Sequence, residues 1–237
     1  MEEFINYAHR GASEYYPENT FLAFYAGLAM GANGIETDVQ MSRDEIPVLF
    51  HDRTLERMTG RPGSIGEYTY DELMAIEASK GRYRDKIAGL EDFLRHFSFQ
   101  ALRFAIELKG ADAEEAVAEN ICRYKIEKKT VVTSFEWEYL KKFREILPQV
   151  QIGFLAREIT PELLEELYQL GTEELCPRAG SFTKEDVQKW HGMGLRVRAW
   201  GVKDEDLMRQ SYEAGVDGMT VNFPDKLAKY LVDPASY

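Results

Sequence analysis

Residues 5–52 read INYAHRGASEYYPENTFLAFYAGLAMGANGIETDVQMSRDEIPVLFHD. The short apolar run at 5–9 predicts a strand. The apolar spacing at 20–30 predicts a helix, and 34–39 predicts a second strand, which makes one β-α-β unit. The run at 47–51 follows the turn-like Ser42-Arg43-Asp44-Glu45. It is expected to fold back as a hairpin arm that brings His51 roughly opposite Glu36. Working outward, the alternation continues, with strands predicted over 103–108, 130–135, 151–155, 174–176, 195–200 and 217–221. Helices are predicted over 91–97, 113–124, 136–146, 161–170, 184–191, 205–214 and 224–231. Thr160-Pro161 pairs an N-cap with proline at the first helical position, and Thr183 with Asp186 forms a capping box. Gly171 and Gly215 stand where C-caps belong. With the arm set aside, eight strands remain.

Sustained strand–helix alternation with eight strands predicts an α/β (β/α)₈ TIM barrel. The length of 237 residues is close to the ~250 such a barrel takes as one domain. No linker, low-complexity tract or strong repeat interrupts the chain, so 1–237 is expected to form a single domain. The exception is 52–89, rich in Gly, Tyr and charge, which is expected to be an irregular small insertion over the barrel mouth. No stretch approaches the ~20 apolar residues of a membrane span. Met1-Glu2-Glu3-Phe4 lacks the basic start of a signal peptide, so a cytoplasmic location is expected. Acids outnumber bases 41 to 29, a net charge of −12, which disfavours nucleic acid and anionic membrane surfaces as partners. Cys122 and Cys176 lack metal-type spacing and are expected to be free, mostly buried thiols.

Barrel active sites lie at the C-terminal ends of the strands. The first strand ends in His9-Arg10-Gly11, the second carries Glu36 and Asp38, the arm ends in His51-Asp52, and the next barrel strand carries Glu107 and Lys109. Strand alternation turns Glu36 and Asp38 to one face. Carboxylates converging there repel one another unless a cation neutralises them, and an all-oxygen set suits Mg²⁺ or Ca²⁺, with Mn²⁺ also possible. Each motif alone has a plainer account: Glu107 and Lys109 as an ion pair, His51-Asp52 as a loop pair. Their convergence at one end of neighbouring strands outweighs it. His96 and His191 fall in helical segments and are read as structural, with no part in the chemistry.

His9-Arg10-Gly11, Glu18-Asn19-Thr20, Glu36-Thr37-Asp38, His51-Asp52 and Glu107-Leu108-Lys109 resemble, in this order, the motifs of bacterial glycerophosphodiester phosphodiesterases. The likeness runs on through Ser134-Phe135, Trp200 and Gly215-Val216-Asp217-Gly218 to Phe223-Pro224-Asp225. The resemblance implies metal-dependent hydrolysis of a glycerophosphodiester to glycerol 3-phosphate and an alcohol. It implies Glu36, Asp38 and Glu107 as ligands of one divalent metal, and His9 and His51 as an acid/base pair. Arg10 and Lys109 would contact the phosphate, Glu18 and Asn19 would complete the pocket, and Phe135 and Trp200 would wall it. It also implies a cyclic-phosphate route, with the neighbouring glycerol hydroxyl as first nucleophile. Three positions depart from the usual pattern: Asn222 and Lys203, which bear on the substrate-binding rim and so on leaving-group specificity, and the pair Ala88-Gly89. Rival readings are a lysophospholipase D or phospholipase-type phosphodiesterase, which would need an apolar or basic docking rim, and a sugar-phosphate isomerase or aldolase, which would need a glycine-rich phosphate loop. A non-catalytic barrel would have lost a strand-end histidine or carboxylate, and none is lost.

Overall fold

The computed structural model describes residues 3–110 and 112–234. Met1 and Glu2, on which the expectation of a missing leader partly rests, lie outside them. The chain runs β1 (Ile5–His9), α1 (Phe21–Ala29), β2 (Gly34–Met41) and β3 (Pro47–Leu49), then α2 (Glu56–Thr59), α3 (Tyr70–Met74), β4 (Glu77–Lys80), β5 (Tyr83–Lys86) and β6 (Ala88–Gly89). It continues with α4 (Leu90–Phe97), β7 (Arg103–Leu108), α5 (Glu114–Tyr124), β8 (Thr130–Ser134), α6 (Trp137–Ile146) and β9 (Gln151–Ala156). It closes with α7 (Pro161–Leu170), β10 (Glu174–Pro177), α8 (Lys184–Gly192), β11 (Arg196–Val202), α9 (Glu205–Ala214), β12 (Gly218–Val221) and α10 (Pro224–Val232).

Eight parallel strands close on themselves in the order β1, β12, β11, β10, β9, β8, β7, β2, with β2 returning to β1. The expected (β/α)₈ barrel is the observed fold, and β3 is the extra arm, antiparallel to the end of β2. Its register is one residue from the expected one: the Phe50 N–H donates to the Asp38 carbonyl at 3.0 Å.

The helices pack against the outside of the barrel. Phe24, Phe93, Phe97 and Phe104 interlock beneath α1 and α4, with Phe24 and Phe93 meeting edge-on at 4.8 Å. Burying each such side chain stabilises the fold by about 1.5–3 kcal/mol. The helix punctuation read from the sequence is present. Thr160 Oγ1 accepts from the Leu163 N–H, the Thr183–Asp186 box forms, and Gly171 and Gly215 end their helices in left-handed conformation at φ 66° and 90°. A residue with a Cβ would be strained at either glycine.

The insertion differs from expectation. Residues 52–89 are not irregular: α2, a 3₁₀ turn at Ile65–Glu67, α3 and the β4–β5 hairpin enclose their own small core of Phe50, Leu55, Met58, Ile65, Leu73 and Ile87. The hairpin docks on the β1–α1 segment, where Tyr83 packs on Tyr16 at 4.8 Å and Asp85 accepts from the Leu22 N–H. The barrel interior is also partly polar. Arg198 is 2% exposed, and its Nε donates to Glu174 Oε1 at 2.8 Å and its Nη1 to Thr220 Oγ1 at 2.6 Å. Both cysteines are free as expected, but Cys122 is exposed rather than buried. Burial pushes the Cys176 thiol well up and keeps it protonated.

Candidate active site

The parallel register aligns the strand-end residues in one layer. His9 on β1 is level with Glu36 on β2, and Asp38 is level with Glu107 on β7. Glu36, Asp38 and Glu107 are all buried, and their nearest carboxylate oxygens lie within 4.8 Å of one another. Such a cluster cannot carry three bare charges cheaply. Burial, with Asp38 and Glu107 alongside, lifts the Glu36 carboxyl well above its usual range. Burial and Asp38 push Glu107 up to about 7. Burial works the same way on Asp38, but Arg10, His51, Lys109 and the Asn19 amide override it and hold its carboxyl below the ordinary range.

Three side chains frame this trio. Arg10 Nε lies 3.0 Å from Asp38 Oδ2 and Lys109 Nζ lies 3.0 Å from Glu107 Oε1. Asn19 Nδ2 donates to Asp38 Oδ2 at 2.9 Å. Arg10 and Asn19 both hold left-handed backbone, φ 55° and 57°, and are tied to each other by the Asn19 N–H donating to the Arg10 carbonyl at 3.0 Å. A non-glycine residue there costs about 1 kcal/mol or more and persists only where its surroundings impose it. Asp38 Oδ1 is buried without a hydrogen-bond partner, Lys109 Nζ standing off at 3.8 Å. An orphaned oxygen among three mutually repelling carboxylates is the donor set a hard divalent cation fits, so the residues present match the metal that the sequence called for.

His9 and His51 flank the trio. Each has its Nδ1 occupied: His9 Nδ1 lies 2.6 Å from Asn222 Oδ1 and His51 Nδ1 lies 2.7 Å from Asp52 Oδ1. Both partners are acceptors, so each Nδ1 carries the proton and each Nε2 keeps a free lone pair. His9 Nε2 lies 3.8 Å from Glu36 Oε2. Burial, seconded by Arg10, lowers the His9 imidazole to about 3, and burial lowers His51 as well. Both are thus neutral proton acceptors at neutral pH.

His9, Arg10, Glu36, His51, Glu107 and Lys109 open into one cavity of about 490 Å³, walled by Phe135 and Trp200. Glu18 and Asn19 stand one layer behind. Glu18 bonds Arg10 Nη1 at 2.9 Å, and Arg57 of α2 bridges Glu18 to Asp52. Glu18, His51 and Asp52 also lie close enough to hold an ion, but the Arg57 guanidinium already neutralises the two carboxylates. The helix histidines keep their plain reading: His96 bonds Tyr25 and His191 bonds Asp217.

Two residues of this site, Arg57 and Arg157, carry no functional reading in the sequence, while Asn222 and Lys203 are read there only as departures bearing on the substrate-binding rim. Asn222 holds His9, Arg57 completes the second layer, and Arg157 and Lys203 complete the outer wall. Asn222 had a readable signal: Ala8 pairs with Val221 between β1 and β12, so barrel closure sets His9 beside Asn222.

The sequence profile of the Glycerophosphoryl diester phosphodiesterase family matches residues 9–226. The chain is 32% identical to a glycerophosphodiester phosphodiesterase of Bacillus altitudinis, over 94% of this chain and 96% of that one. It is 28% identical to one of Caldanaerobacter subterraneus, over 93% and 94%. Among solved structures it resembles a phosphodiesterase of Oleispira antarctica in complex with the product sn-glycerol-3-phosphate, at TM-score 0.86 and 26% identity over 96% of both chains. It also resembles the glycerophosphodiester phosphodiesterase of Thermotoga maritima, at TM-score 0.83 and 25% identity over 97% and 99%.

Proposed function

The chain belongs to the glycerophosphoryl diester phosphodiesterase family and is an enzyme of that class, and from that premise we propose that it cleaves small glycerophosphodiesters to glycerol 3-phosphate and an alcohol by metal-assisted, paired-histidine acid/base catalysis. The observation that carries this reading is the buried trio Glu36, Asp38 and Glu107, with an orphaned Asp38 oxygen, between two imidazoles whose Nδ1 protons are both engaged. Glu36, Asp38 and Glu107 would hold one divalent ion, Mg²⁺ or Ca²⁺ with Mn²⁺ also suited, which supplies Lewis-acid neutralisation of the phosphodiester charge.

The chain's own residues do the rest. Arg10 and Lys109 add positive charge on the phosphate side of the trio. One imidazole takes a proton at Nε2 from the attacking hydroxyl, and the other, having gained a proton at Nε2 from solvent as the anionic diester binds, delivers it to the departing alkoxide. With the neighbouring glycerol hydroxyl as first nucleophile, the bond to the head group breaks and a cyclic phosphate forms. Water then opens that ring with the two histidines exchanging roles. Phe135 and Trp200, edge to face at 4.9 Å, exclude water from one side of the reacting phosphate. Residues 1–237 act as one domain in this reading, with the insertion at 52–89 bracing the second layer through Arg57.

A water-soluble, deacylated substrate and a cytoplasmic setting without nucleic-acid or stable membrane partners agree with a net charge of −12. Among the described residues no helix is long and apolar enough to cross a membrane. The test compares kcat/KM for glycerophosphocholine, glycerophosphoethanolamine and a lysophosphatidylcholine below its micelle concentration, following release of glycerol 3-phosphate from the first two and choline from the third. The deacylated diesters should be preferred. A clear preference for the lyso-lipid would move the chain to the lysophospholipase D class.

A further inference from the structure

The catalytic cavity has two chemically distinct ends. Its lining acids, Glu36 and Glu107, are both buried at the deep end beside Asp38. Its outer wall carries Phe135, Trp200, Arg157 and Lys203. That wall is fixed in place, because Trp200 Nε1 donates to the Ala156 carbonyl at 3.1 Å and Phe135 meets Trp200 edge-on. Arg157 lays its guanidinium over the Phe135 ring, 4.2 Å from the centroid. Stacking engages the face of a guanidinium and leaves the N–H donors along its edge available.

The inner cations, Arg10 and Lys109, are committed to Asp38, Glu18 and Glu107. The outer two are not: among the described residues neither Arg157 nor Lys203 makes an ion pair with a carboxylate. The acids next to the wall in sequence, Glu136, Glu158 and Asp204, do not line this cavity. In a chain with 41 acids and 29 bases, two cations on one pocket wall outside any carboxylate ion pair mark a local reversal of the overall field, with Glu136 and Asp52 bordering Arg157 only on its other side, in the adjoining pocket. They stand where a leaving group must project once the glycerol-phosphate half sits on the trio and the histidines.

We propose that Arg157 and Lys203 form a subsite for a negatively charged group on the leaving alcohol, a carboxylate or phosphate, so that diesters with an acid-bearing head group are the favoured substrates. The proposal rests on the reading of the chain as a glycerophosphodiester hydrolase and adds the chemical class of the head group. A planar carboxylate can accept two parallel N–H bonds from Arg157, with Lys203 as a second, mobile point charge. Because both cations are exposed, solvent screening limits the preference to about three- to tenfold.

The experiment compares kcat/KM for glycerophosphoserine and glycerophosphoethanolamine, whose head groups differ by one carboxylate, in the wild type and in the Arg157→Gln/Lys203→Met double variant. It is run at low and high sodium chloride, with glycerol 3-phosphate release as the readout. The wild type is expected to favour the serine diester about three- to tenfold, the ratio to shrink with salt, and the double variant to bring it close to one. Equal or better turnover of the ethanolamine diester by the wild type would overturn the subsite, as would an unchanged ratio in the double variant. An equal loss of both substrates would also overturn it, since the two cations would then be acting on the scissile phosphate itself. Failure to release glycerol 3-phosphate from either diester would instead sink the parent reading of the reaction.

Discussion

Replacing Arg57 by methionine removes a side chain of the insertion that bridges Glu18 and Asp52 behind the catalytic groups. Arg57 grips Asp52 through Nε and Nη2 and Glu18 through Nη1 and Nη2, at distances from 2.5 to 3.0 Å. Its side chain is 49% exposed, against 14% for Glu18 and 24% for Asp52. Breaking a fully buried pair costs about 3–5 kcal/mol, whereas an exposed pair is worth about 0.2–1 kcal/mol. Two half-exposed bidentate pairs therefore place the loss at about 1–2 kcal/mol, or roughly 3–6 °C in Tm for a domain of this size.

The loss should depend on pH. Arg57 is the main reason the Asp52 carboxyl is held down at about 2. A depressed folded-state pKa contributes stability above the unfolded value of about 3.9, and that stability is lost as pH falls from there towards about 2. The stability gap between wild type and Arg57→Met should thus be full at pH 7 and narrow below about pH 4. Asp52 is also the acceptor that orients His51, so kcat should fall about 10–100-fold, the scale set by misplacing a catalytic group by a fraction of an ångström to an ångström, with KM changing less. Arg57→Lys keeps the charge but cannot grip both carboxylates bidentately, and should fall between. Thermal unfolding at pH 7 and pH 3, with steady-state kinetics, decides the matter. A Tm within a degree of wild type together with kcat within twofold would refute the bracing role.

His9→Ala and His51→Ala should each lower kcat by about 10²–10⁴-fold with folding intact. His96→Ala and His191→Ala, whose rings bond Tyr25 and Asp217 away from the cavity, should leave kcat within a few-fold; equal damage from the second pair would contradict the assignment. Arg198→Met should destabilise the barrel by about 3–5 kcal/mol because Glu174 is left charged and buried. Chemical denaturation measures that loss, and a cost below about 1 kcal/mol would show that Glu174 finds another partner. Asn222→Leu removes the acceptor that fixes the His9 tautomer and should cut kcat at least tenfold; unchanged kinetics would show that the tautomer is set elsewhere.

The barrel was legible because its strands are apolar runs divided by capped helices, as at Thr160-Pro161 and Thr183. Glu36, Asp38 and Glu107 were legible as a convergent set because a strand has a side-chain period of two and barrel chemistry gathers at strand ends. What escaped was non-local. Arg57 sits in a four-residue helix and meets Glu18 across 39 residues, a contact with no local pattern to announce it. The insertion was read as irregular because its helices and strands, two to five residues each, are too short to establish a period. Arg157 follows directly on the end of β9 and is exposed; only its stacking on Phe135 separates it from any surface arginine.

In the proposed reaction, Glu36, Asp38 and Glu107 hold the divalent ion on which turnover depends. The direct measurement is glycerol 3-phosphate release from glycerophosphoethanolamine by protein stripped with EDTA and dialysed, then given back Mg²⁺, Mn²⁺ or Ca²⁺, with calorimetric titration of each ion into wild type and Asp38→Asn. Stripped protein should be inactive and at least one of the ions should restore it, with binding to wild type at a stoichiometry of one and a large loss of affinity in the variant. Full turnover by rigorously metal-free protein, or undiminished ion binding by Asp38→Asn, would contradict the account.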